Sequence, residues 1–483
     1  MTLQLHDQSL LETRAFVAGR WRSSDKTFVV DNPATGERVA TVADMGVEAM
    51  REAVDAAYLA QKDWAARTAN ERCLILLKWQ ALILENVEDL ARILTSEMGK
   101  PLVEARGEIV YGASFIQWFA EEGRRVYGDV IPGHQRDKRI FVLKQPIGVV
   151  GAITPWNFPN AMIARKVAPA LAAGCAFVGR PAEKTPLSAL ALAVLGERAG
   201  LPPGILSLVT GSDAKGLGLE LCTNPKVRKL TFTGSTEVGR ILMRQCANDI
   251  KKLSLELGGN APFIVFDDAD LDAAVEGALI AKYRNSGQTC VCANRIYVQR
   301  GVLAAFAKKL SEATARLVVG NGMLPGTTIG PLIDAAGLAK VEDHIADAVA
   351  QGATVLAGGK RSGLGGNFYE PTILVGVTSG MKILREETFG PVAPLIAFDT
   401  EADVIAMAND TEFGLASYFY AKDLSRVWHV AEALEYGMVG INTGLISTAE
   451  VPFGGIKSSG LGREGSRYGI EDYLEIKYLC MSV

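Results

Sequence analysis

Short apolar runs alternate with helical stretches from residue 147 onward, and this alternation constrains the fold more than any other feature. The runs are IGVVGAI, CAFVG, ILSLV and VRKLTF, with helical stretches between them. Thr185 followed by Pro186 predicts one helix start, with Thr185 as the N-cap. Strands separated by helices predict βαβ units, and hence a parallel sheet covered by helices on both faces.

A second series of strands and helices begins near residue 257 and continues to about residue 440, while residues 46–123 have helical periodicity. The sequence therefore predicts an α/β protein with two Rossmann-like, doubly wound domains. We expect the first domain to be discontinuous, with residues 1–126 and 147–257, and the second to span residues 258–445. A ligand would bind in the crevice between them.

Two segments, residues 127–146 and 468–483, fit neither domain. Both have β character with turn residues, and solitary strands would leave exposed edges. We therefore expect them to be oligomerisation strands that pair with another chain. The sequence does not distinguish a dimer from a tetramer.

The bulk composition excludes several classes of protein. A net charge of −4 gives no basic surface for nucleic acid or an anionic membrane. The most apolar segment, VAPALAAGCAFVG, is shorter than the ~20 residues that span a bilayer. Seven cysteines, an odd number, favour a reducing compartment over a disulfide framework, so a cytoplasmic location is expected. Four scattered histidines lack metal-ligand spacing, and no metal is expected.

The stretch YRNSGQTCVCANR contains the first candidate for chemistry. Cys290 follows a Gly-containing turn and lies between Arg284 and Arg295 in the sequence. Nearby cations lower the pKa of a thiol and favour the reactive thiolate. Cys290 is therefore either a nucleophile or a buried packing thiol, and the loop alone favours neither.

Three further polar residues lie at the ends of predicted strands or just after them. Glu256 ends the strand KLSLE, immediately before Gly258 and Gly259, and could be a base beside the crevice or part of a solvated strand face. Asn157 lies between two prolines in the loop PWNFP, where its amide could stabilise an oxyanion. Ser235 ends a strand in LTFTGSTEVGR and precedes a helix whose N-terminus attracts phosphate.

Together these stretches resemble the aldehyde dehydrogenase superfamily. LELGG, YRNSGQTC, PWNFP, FTGSTEVG and EETFGPV all occur in the family's order and spacing, and the resemblance covers nearly the whole chain. It implies that Cys290 attacks an aldehyde, that Asn157 and the Cys290 N–H hold the oxyanion, and that hydride passes to a nicotinamide. Glu256 then activates the water that hydrolyses the thioester.

The resemblance also implies a site for NAD or NADP, formed mostly by the first domain with a contribution from the second, and makes the second domain catalytic. The matching positions are Thr154, Trp156, Arg180, Glu183, Gly234, Ser235, Leu257, Glu387 and Phe389. Glu183 favours NAD because it repels a 2′-phosphate, whereas Arg180 and Lys184 favour NADP. Since these effects oppose each other, both cofactors stay open. Tyr283 replaces the usual Phe, a mild departure.

NTGLIS and the following PFGGIKSSGLGREG resemble the succinate-semialdehyde dehydrogenase branch. That resemblance implies a clamp for the distal carboxylate of an anionic aldehyde, made by Arg165, Arg284 and Ser447. The reaction would be oxidation of succinate semialdehyde to succinate, with glutarate semialdehyde or another ω-carboxy aldehyde as the alternative. Arg165 could instead be a solvated helix residue, and Arg284 part of an interface salt bridge.

Other interpretations are weaker. Cys292 could form a reversible disulfide with Cys290, as the branch implies, or fill space beside the loop. A CoA-acylating enzyme typically lacks the water-activating glutamate, which is present here. A cysteine hydrolase needs a histidine base, and no histidine has a motif-like setting. A homo-oligomer, here a homotetramer or dimer, is expected from the family.

Overall fold

The computed structural model describes residues 3–483. It begins with four strands and four helices: β1 Ala15–Val17, β2 Arg20–Arg22, β3 Thr27–Asp31, β4 Arg38–Ala43, α1 Val47–Ala66, α2 Ala69–Glu85, α3 Val87–Met98 and α4 Leu102–Glu122. The helices agree with the helical periodicity of residues 46–123. The four strands were not predicted, because each is short and β2, β3 and β4 are partly exposed.

Strands and helices then alternate as the sequence predicts. After β5 Asp129–Ile131 and β6 Lys138–Pro146 come β7 Val149–Ile153, α5 Ala161–Ala173, β8 Ala176–Arg180, α6 Leu187–Ala199, β9 Leu206–Leu208, α7 Ala214–Thr223, β10 Val227–Thr233, α8 Thr236–Cys246 and β11 Lys252–Glu256.

The second series comprises β12 Ala261–Val265, α9 Leu271–Tyr283, β13 Ala293–Gln299, α10 Arg300–Thr314, α11 Ala335–Ala350, β14 Thr354–Ala357, β15 Thr372–Val375, α12 Lys382–Arg385, β16 Val392–Phe398, α13 Glu401–Asn409, β17 Ala416–Tyr420, α14 Leu424–Ala433 and β18 Met438–Ile441. The chain ends with β19 Gly460–Leu461, α15 Ser466–Glu471 and β20 Leu474–Ser482.

Two largely parallel sheets organise these elements. The first has the order β19-β11-β10-β7-β8-β9-β1-β2, and β11 through β9 are parallel. The second has the order β14-β15-β16-β13-β12-β17-β18, with only β14 antiparallel. On β12, Phe263 and Val265 join one apolar cluster, and Ile264 joins another on the opposite face. The predicted α/β class is confirmed.

The carboxyl ends of β7, β8, β10 and β11 meet at one edge of the first sheet because these strands are parallel neighbours. This edge places the loops that begin at Thr154, Gly234 and Leu257 beside one another. Hydrogen bonds reinforce the arrangement: Thr154 N donates to the Arg180 carbonyl at 3.2 Å, and Gly234 N donates to the Glu256 carbonyl at 3.0 Å.

The start of α6 differs from the prediction. The helix begins at Leu187 with Pro186 as its N-cap, so Thr185 is not the cap. The buried carboxylate of Glu97 instead accepts hydrogen bonds from the backbone amides of Leu187 and Ser188, at 2.7 and 2.8 Å. A distant side chain has taken the role of the local cap.

A third, antiparallel sheet has the order β20-β6-β5. The prediction of strands over residues 127–146 and 468–483 is therefore correct only in part, since residues 468–471 belong to α15. Ile470 and Tyr473 are three residues apart and are both buried in the apolar cluster around the first sheet. This spacing favours a helix over an extended strand. Most of β20 is exposed.

Within residues 3–483, no helix combines the length and apolarity needed to cross a membrane. The same residues contain no group of three or more His, Cys, Asp or Glu side chains that could hold a metal ion.

Candidate active site

A strained turn presents Cys290. Asn285 and Ser286 adopt left-handed φ angles of 52° and 58°, and Gly287 follows at 77°. A Cβ on Gly287 would lie 2.2 Å from the Gly390 carbonyl oxygen, so only glycine fits there. Two consecutive non-glycine residues in this region are costly and persist only where the surroundings hold them. The turn is therefore constrained by its neighbours.

Gln288, whose role the sequence leaves open, braces this turn. Its amide nitrogen donates to the Asn285 carbonyl at 3.1 Å, and its amide oxygen accepts from the backbone N–H of Ile333 at 2.9 Å. The amide of Asn285 donates in turn to the carbonyls of Asn157 and Gln288, at 3.1 and 3.2 Å. Gln288 and Asn285 thus connect the turn to both sides of the cleft.

Asn157 lies against the same turn. Its side-chain nitrogen donates to the Gln288 carbonyl at 3.0 Å, and Lys100 donates to its backbone carbonyl at 2.8 Å. Asn157 is 5% exposed. One hydrogen bond thus holds the side-chain amide against Gln288, two residues before Cys290, and the Asn157 Oδ1 atom has no hydrogen-bond partner within residues 3–483.

Glu256 ends β11, as the sequence predicts, and is 2% exposed. Neither carboxylate oxygen has a hydrogen-bond partner among residues 3–483. Burial, followed by the neighbouring carboxylate of Glu464, raises the pKa of Glu256 well above its usual value, although Arg165 and Lys166 oppose this. A buried carboxyl with a raised pKa is suited to taking up a proton.

Glu464 was missed by the sequence reasoning. Its carboxylate lies 2.8 Å from Arg165 Nη2 and 2.5 Å from Lys166 Nζ, and all three side chains are buried. Although burial opposes it, Lys166 and Arg165 hold the pKa of Glu464 below its usual value. A signal existed: two adjacent cations in the otherwise apolar α5 need a buried acidic partner. The sequence could not say which one.

A cavity of about 280 Å³ opens onto Cys290. Its walls bring together Arg165, Arg284 and Ser447, the three residues of the expected clamp. Arg165 lies between the rings of Phe115 and Phe453, with its guanidinium carbon 5.3 and 4.1 Å from the ring centres. It is neither solvated nor exposed, which excludes that alternative.

Arg284 differs from Arg165 in its partners. No carboxylate of residues 3–483 lies within 4.0 Å of its guanidinium, which rests 5.5 Å from the centre of the Phe158 ring. Arg284 is partly exposed to the cavity. A cation in this position is available to an anionic ligand.

The expected cofactor residues lie along the carboxyl edge of the first sheet and in the loop between α12 and β16, which carries Glu387 and Phe389. The rings of Trp156 and Phe389 meet edge to face, with centres 5.6 Å apart. Glu387 accepts a hydrogen bond from Gly259 N at 3.2 Å, and burial raises its pKa to about 7. Ser235 caps α8 by accepting from Val238 N.

The three residues expected to select between NAD and NADP are already paired. Arg180 Nη2 lies 2.6 Å from Glu183 and also donates to the Gly211 carbonyl at 3.2 Å. Lys184 forms an ion pair with Asp334, the N-cap residue of α11. Arg180 Nε is buried and has no partner within residues 3–483, so the site retains a donor for a ligand. The residues therefore fit a dinucleotide.

Cys292 lies outside the cavity walls. Its thiol is buried and donates to the Lys282 carbonyl at 3.4 Å. The structure therefore places Cys290 and Cys292 in different surroundings, two residues apart.

Comparison with known proteins identifies the family. Residues 21–479 match the model of the aldehyde dehydrogenase family. A glutarate-semialdehyde dehydrogenase of Pseudomonas aeruginosa is 65% identical over 481 residues, which cover 99% of each chain. An NADP-dependent succinate-semialdehyde dehydrogenase of Escherichia coli K12 is 63% identical over 483 residues, which cover 100% of each chain.

A solved structure agrees. The crystal structure of succinate-semialdehyde dehydrogenase from Burkholderia pseudomallei superimposes with a TM-score of 0.98 at 60% identity, covering 99% of this chain and 100% of that one. The chain therefore belongs to the aldehyde dehydrogenase family. It is an NAD(P)-dependent enzyme of that family, and the resemblance stated from its motifs is confirmed.

The pKa of Cys290 gives a testable pH dependence. Burial, followed by the carboxylate of Glu387, raises this pKa to about 12, while Arg165 and Arg284 lower it. Without ligands, the thiolate fraction should rise about tenfold per pH unit between pH 7 and 9, because this range lies below the pKa. We expect the rate of iodoacetamide alkylation of Cys290, followed by peptide mass spectrometry, to rise in the same proportion.

Arg284→Ala should slow this alkylation at every pH, because the substitution removes a cation that favours the thiolate. Cys290→Ala gives the background at that peptide. An alkylation rate that levels off below pH 8 would show that the thiol ionises in the ordinary range and contradict this description.

Proposed function

We propose that this enzyme oxidises succinate semialdehyde to succinate with NAD or NADP. The observation that carries the proposal is Arg284, a cation with no carboxylate within 4.0 Å among residues 3–483, in the same cavity as Cys290. Arg165 and Ser447 line that cavity too, so a carboxylate bound there would leave its aldehyde end beside the thiol. The succinate-semialdehyde dehydrogenases among the relatives support this substrate.

Covalent chemistry begins at Cys290. Its thiolate adds to the aldehyde carbon, the carbonyl electrons move to oxygen, and the oxyanion receives hydrogen bonds from Asn157 Nδ2 and the Cys290 N–H. Asn157 Nδ2 already lies 3.0 Å from the Gln288 carbonyl, so the amide is oriented before substrate arrives. The nicotinamide, when bound, supplies the hydride acceptor that converts the adduct to a thioester.

Glu256 completes the reaction in this proposal. It removes a proton from water, the water oxygen adds to the thioester carbon, and the Cys290 thiolate leaves as the acid forms. The raised pKa of Glu256 makes it a stronger base than an exposed glutamate. Glu464 and its two cations make no hydrogen bond to either oxygen of Glu256, and their net charge of +1 offsets the negative charge of the Glu256 carboxylate.

The two sheets correspond to two proposed domains with different functions. We propose that residues 1–126 and 147–257 bind the cofactor and that residues 258–445 are the catalytic domain. Thr154, Gly234 and Leu257 begin loops at the carboxyl edge of the first sheet, and the N-terminus of α8 at Ser235 suits a pyrophosphate. Trp156 and Phe389 would enclose the nicotinamide end, with Glu387 on its ribose and Arg180 and Glu183 at the adenosine end.

Glutarate semialdehyde is the alternative substrate. Two relatives named glutarate-semialdehyde dehydrogenase are each 65% identical to this chain. Glutarate semialdehyde is one methylene longer, and one methylene in a pocket discriminates by only about 10- to 200-fold. The ratio of kcat/KM for the two semialdehydes decides which is preferred.

The exposed sheet β20-β6-β5 supports a homo-oligomer. Val130 and Ile476 are 79% and 71% exposed, which is unusual for apolar strand residues on a monomer's surface. We propose that a second copy of the chain covers this sheet. Sedimentation of the purified protein as a monomer would refute it, and the measured mass separates a dimer from a tetramer.

A cytoplasmic location also remains a proposal, which cell fractionation tests.

Arg284→Ala tests the clamp. With succinate semialdehyde, kcat/KM should fall about 10- to 100-fold, because a charge-assisted hydrogen bond contributes about 1.5–3 kcal/mol. With butanal, which has no carboxylate, kcat/KM should change less than about twofold. Arg300→Ala on exposed α10 is the matched control and should leave both unchanged. Equal losses with both aldehydes would contradict the clamp.

The disulfide between Cys290 and Cys292 stays a prediction of the branch resemblance. Peroxide would take two electrons and two protons from the thiols and leave as water. We expect dithiothreitol to restore activity to peroxide-treated wild-type enzyme, whereas Cys292→Ala should be less protected from irreversible oxidation. If both proteins lose and regain activity equally, a 290–292 disulfide is not the cause.

A further inference from the structure

The charged side chains around the cavity form pairs. Lys100 Nζ lies 2.5 Å from Glu108, and Arg165 Nη2 lies 2.8 Å from Glu464. Both cations therefore already have a carboxylate partner, although Arg165 shares Glu464 with Lys166. Arg284 and Glu104 are the charged cavity residues that remain outside these pairs.

Glu104 lies in the first turn of α4, one turn before Glu108, and is partly buried in the cavity wall. Its Oε2 accepts a hydrogen bond from the backbone N–H of Asn285 at 2.8 Å, directly after Arg284. No cation of residues 3–483 lies within 4.0 Å of its carboxylate, and its other oxygen accepts no hydrogen bond from those residues. This carboxylate thus stands beside the proposed anion site without a salt bridge.

We propose that Glu104 is a specificity-determining residue that restricts the cavity to aldehydes with a single negative charge and rejects dianions such as phosphate monoesters. The inference rests on the proposed function, in which Arg284 binds the distal carboxylate. The charge of Glu104 takes no part in the covalent chemistry proposed for Cys290.

The physical reason is charge balance. Lys100 and Arg165 are already engaged by carboxylates, so Arg284 is the cavity cation available to the ligand, and Glu104 offsets it. A monoanion gains the contact with Arg284, whereas the second charge of a phosphate has no further cation and meets the Glu104 carboxylate. Like charges a few ångströms apart in a partly buried site repel each other much more strongly than in bulk water.

Burial raises the pKa of Glu104, while Lys100 and the Asn285 N–H oppose this. The hydrogen bond from Asn285 also gives Glu104 a structural role, which the test must separate from its charge. Glutamine suits this purpose, because its amide oxygen can still accept that hydrogen bond while the negative charge is lost.

The experiment measures kcat/KM of wild-type enzyme and Glu104→Gln with three aldehydes of equal carbon number, at pH 8. They are butanal, succinate semialdehyde and 4-oxobutyl phosphate, which is a dianion because its second pKa is about 6. We expect Glu104→Gln to raise kcat/KM for 4-oxobutyl phosphate about tenfold or more relative to butanal. The gain for succinate semialdehyde should be smaller.

Glu121→Gln is the matched control, since it removes a negative charge from the same helix outside the cavity walls, and it should change none of the three values. An equal change with all three aldehydes, or no gain in turnover of 4-oxobutyl phosphate by Glu104→Gln, would overturn the inference. A wild-type enzyme that prefers butanal to succinate semialdehyde would instead refute the proposed function itself.

Discussion

The buried carboxylate of Glu464 holds the active site together. It contacts Arg165 and Lys166 on α5 from a segment nearly 300 residues away in the chain. Removing one member of a buried ion pair typically costs about 3–5 kcal/mol, because an uncompensated charge is left behind. Glu256 lies beside this cluster, so the same interaction sets the charge around the proposed base.

Pairing determines which cations remain for a ligand. Glu464 and Glu108 each form an ion pair with a cavity cation, which leaves Arg284 as the one without a carboxylate within 4.0 Å in residues 3–483. The strained turn that carries Arg284 also carries Cys290, and Gln288 and Asn285 brace it. In the proposed function, anion binding and nucleophilic attack therefore depend on one turn.

Much of the fold could be predicted from the sequence because its signals are local. Strand-helix alternation predicts the parallel sheets, and the position of Glu256 at the end of β11 follows from the pattern KLSLE. Partners distant in sequence could not be predicted. Glu97 replaces Thr185 as the cap of α6. Asp334 forms an ion pair with Lys184, whose positive charge was expected to favour NADP. Glu104 and Glu464 were missed for the same reason, since packing selects which acid meets which base.

The most direct test of the central claim is a rapid-mixing measurement on Glu256→Gln with succinate semialdehyde and cofactor. If Cys290 forms the thioester and Glu256 hydrolyses it, reduced cofactor should appear in a burst approaching one equivalent per active site, followed by a much slower steady rate. Wild-type steady turnover by this variant, or slow formation of reduced cofactor without a burst, would contradict the assignment of the two residues to separate steps.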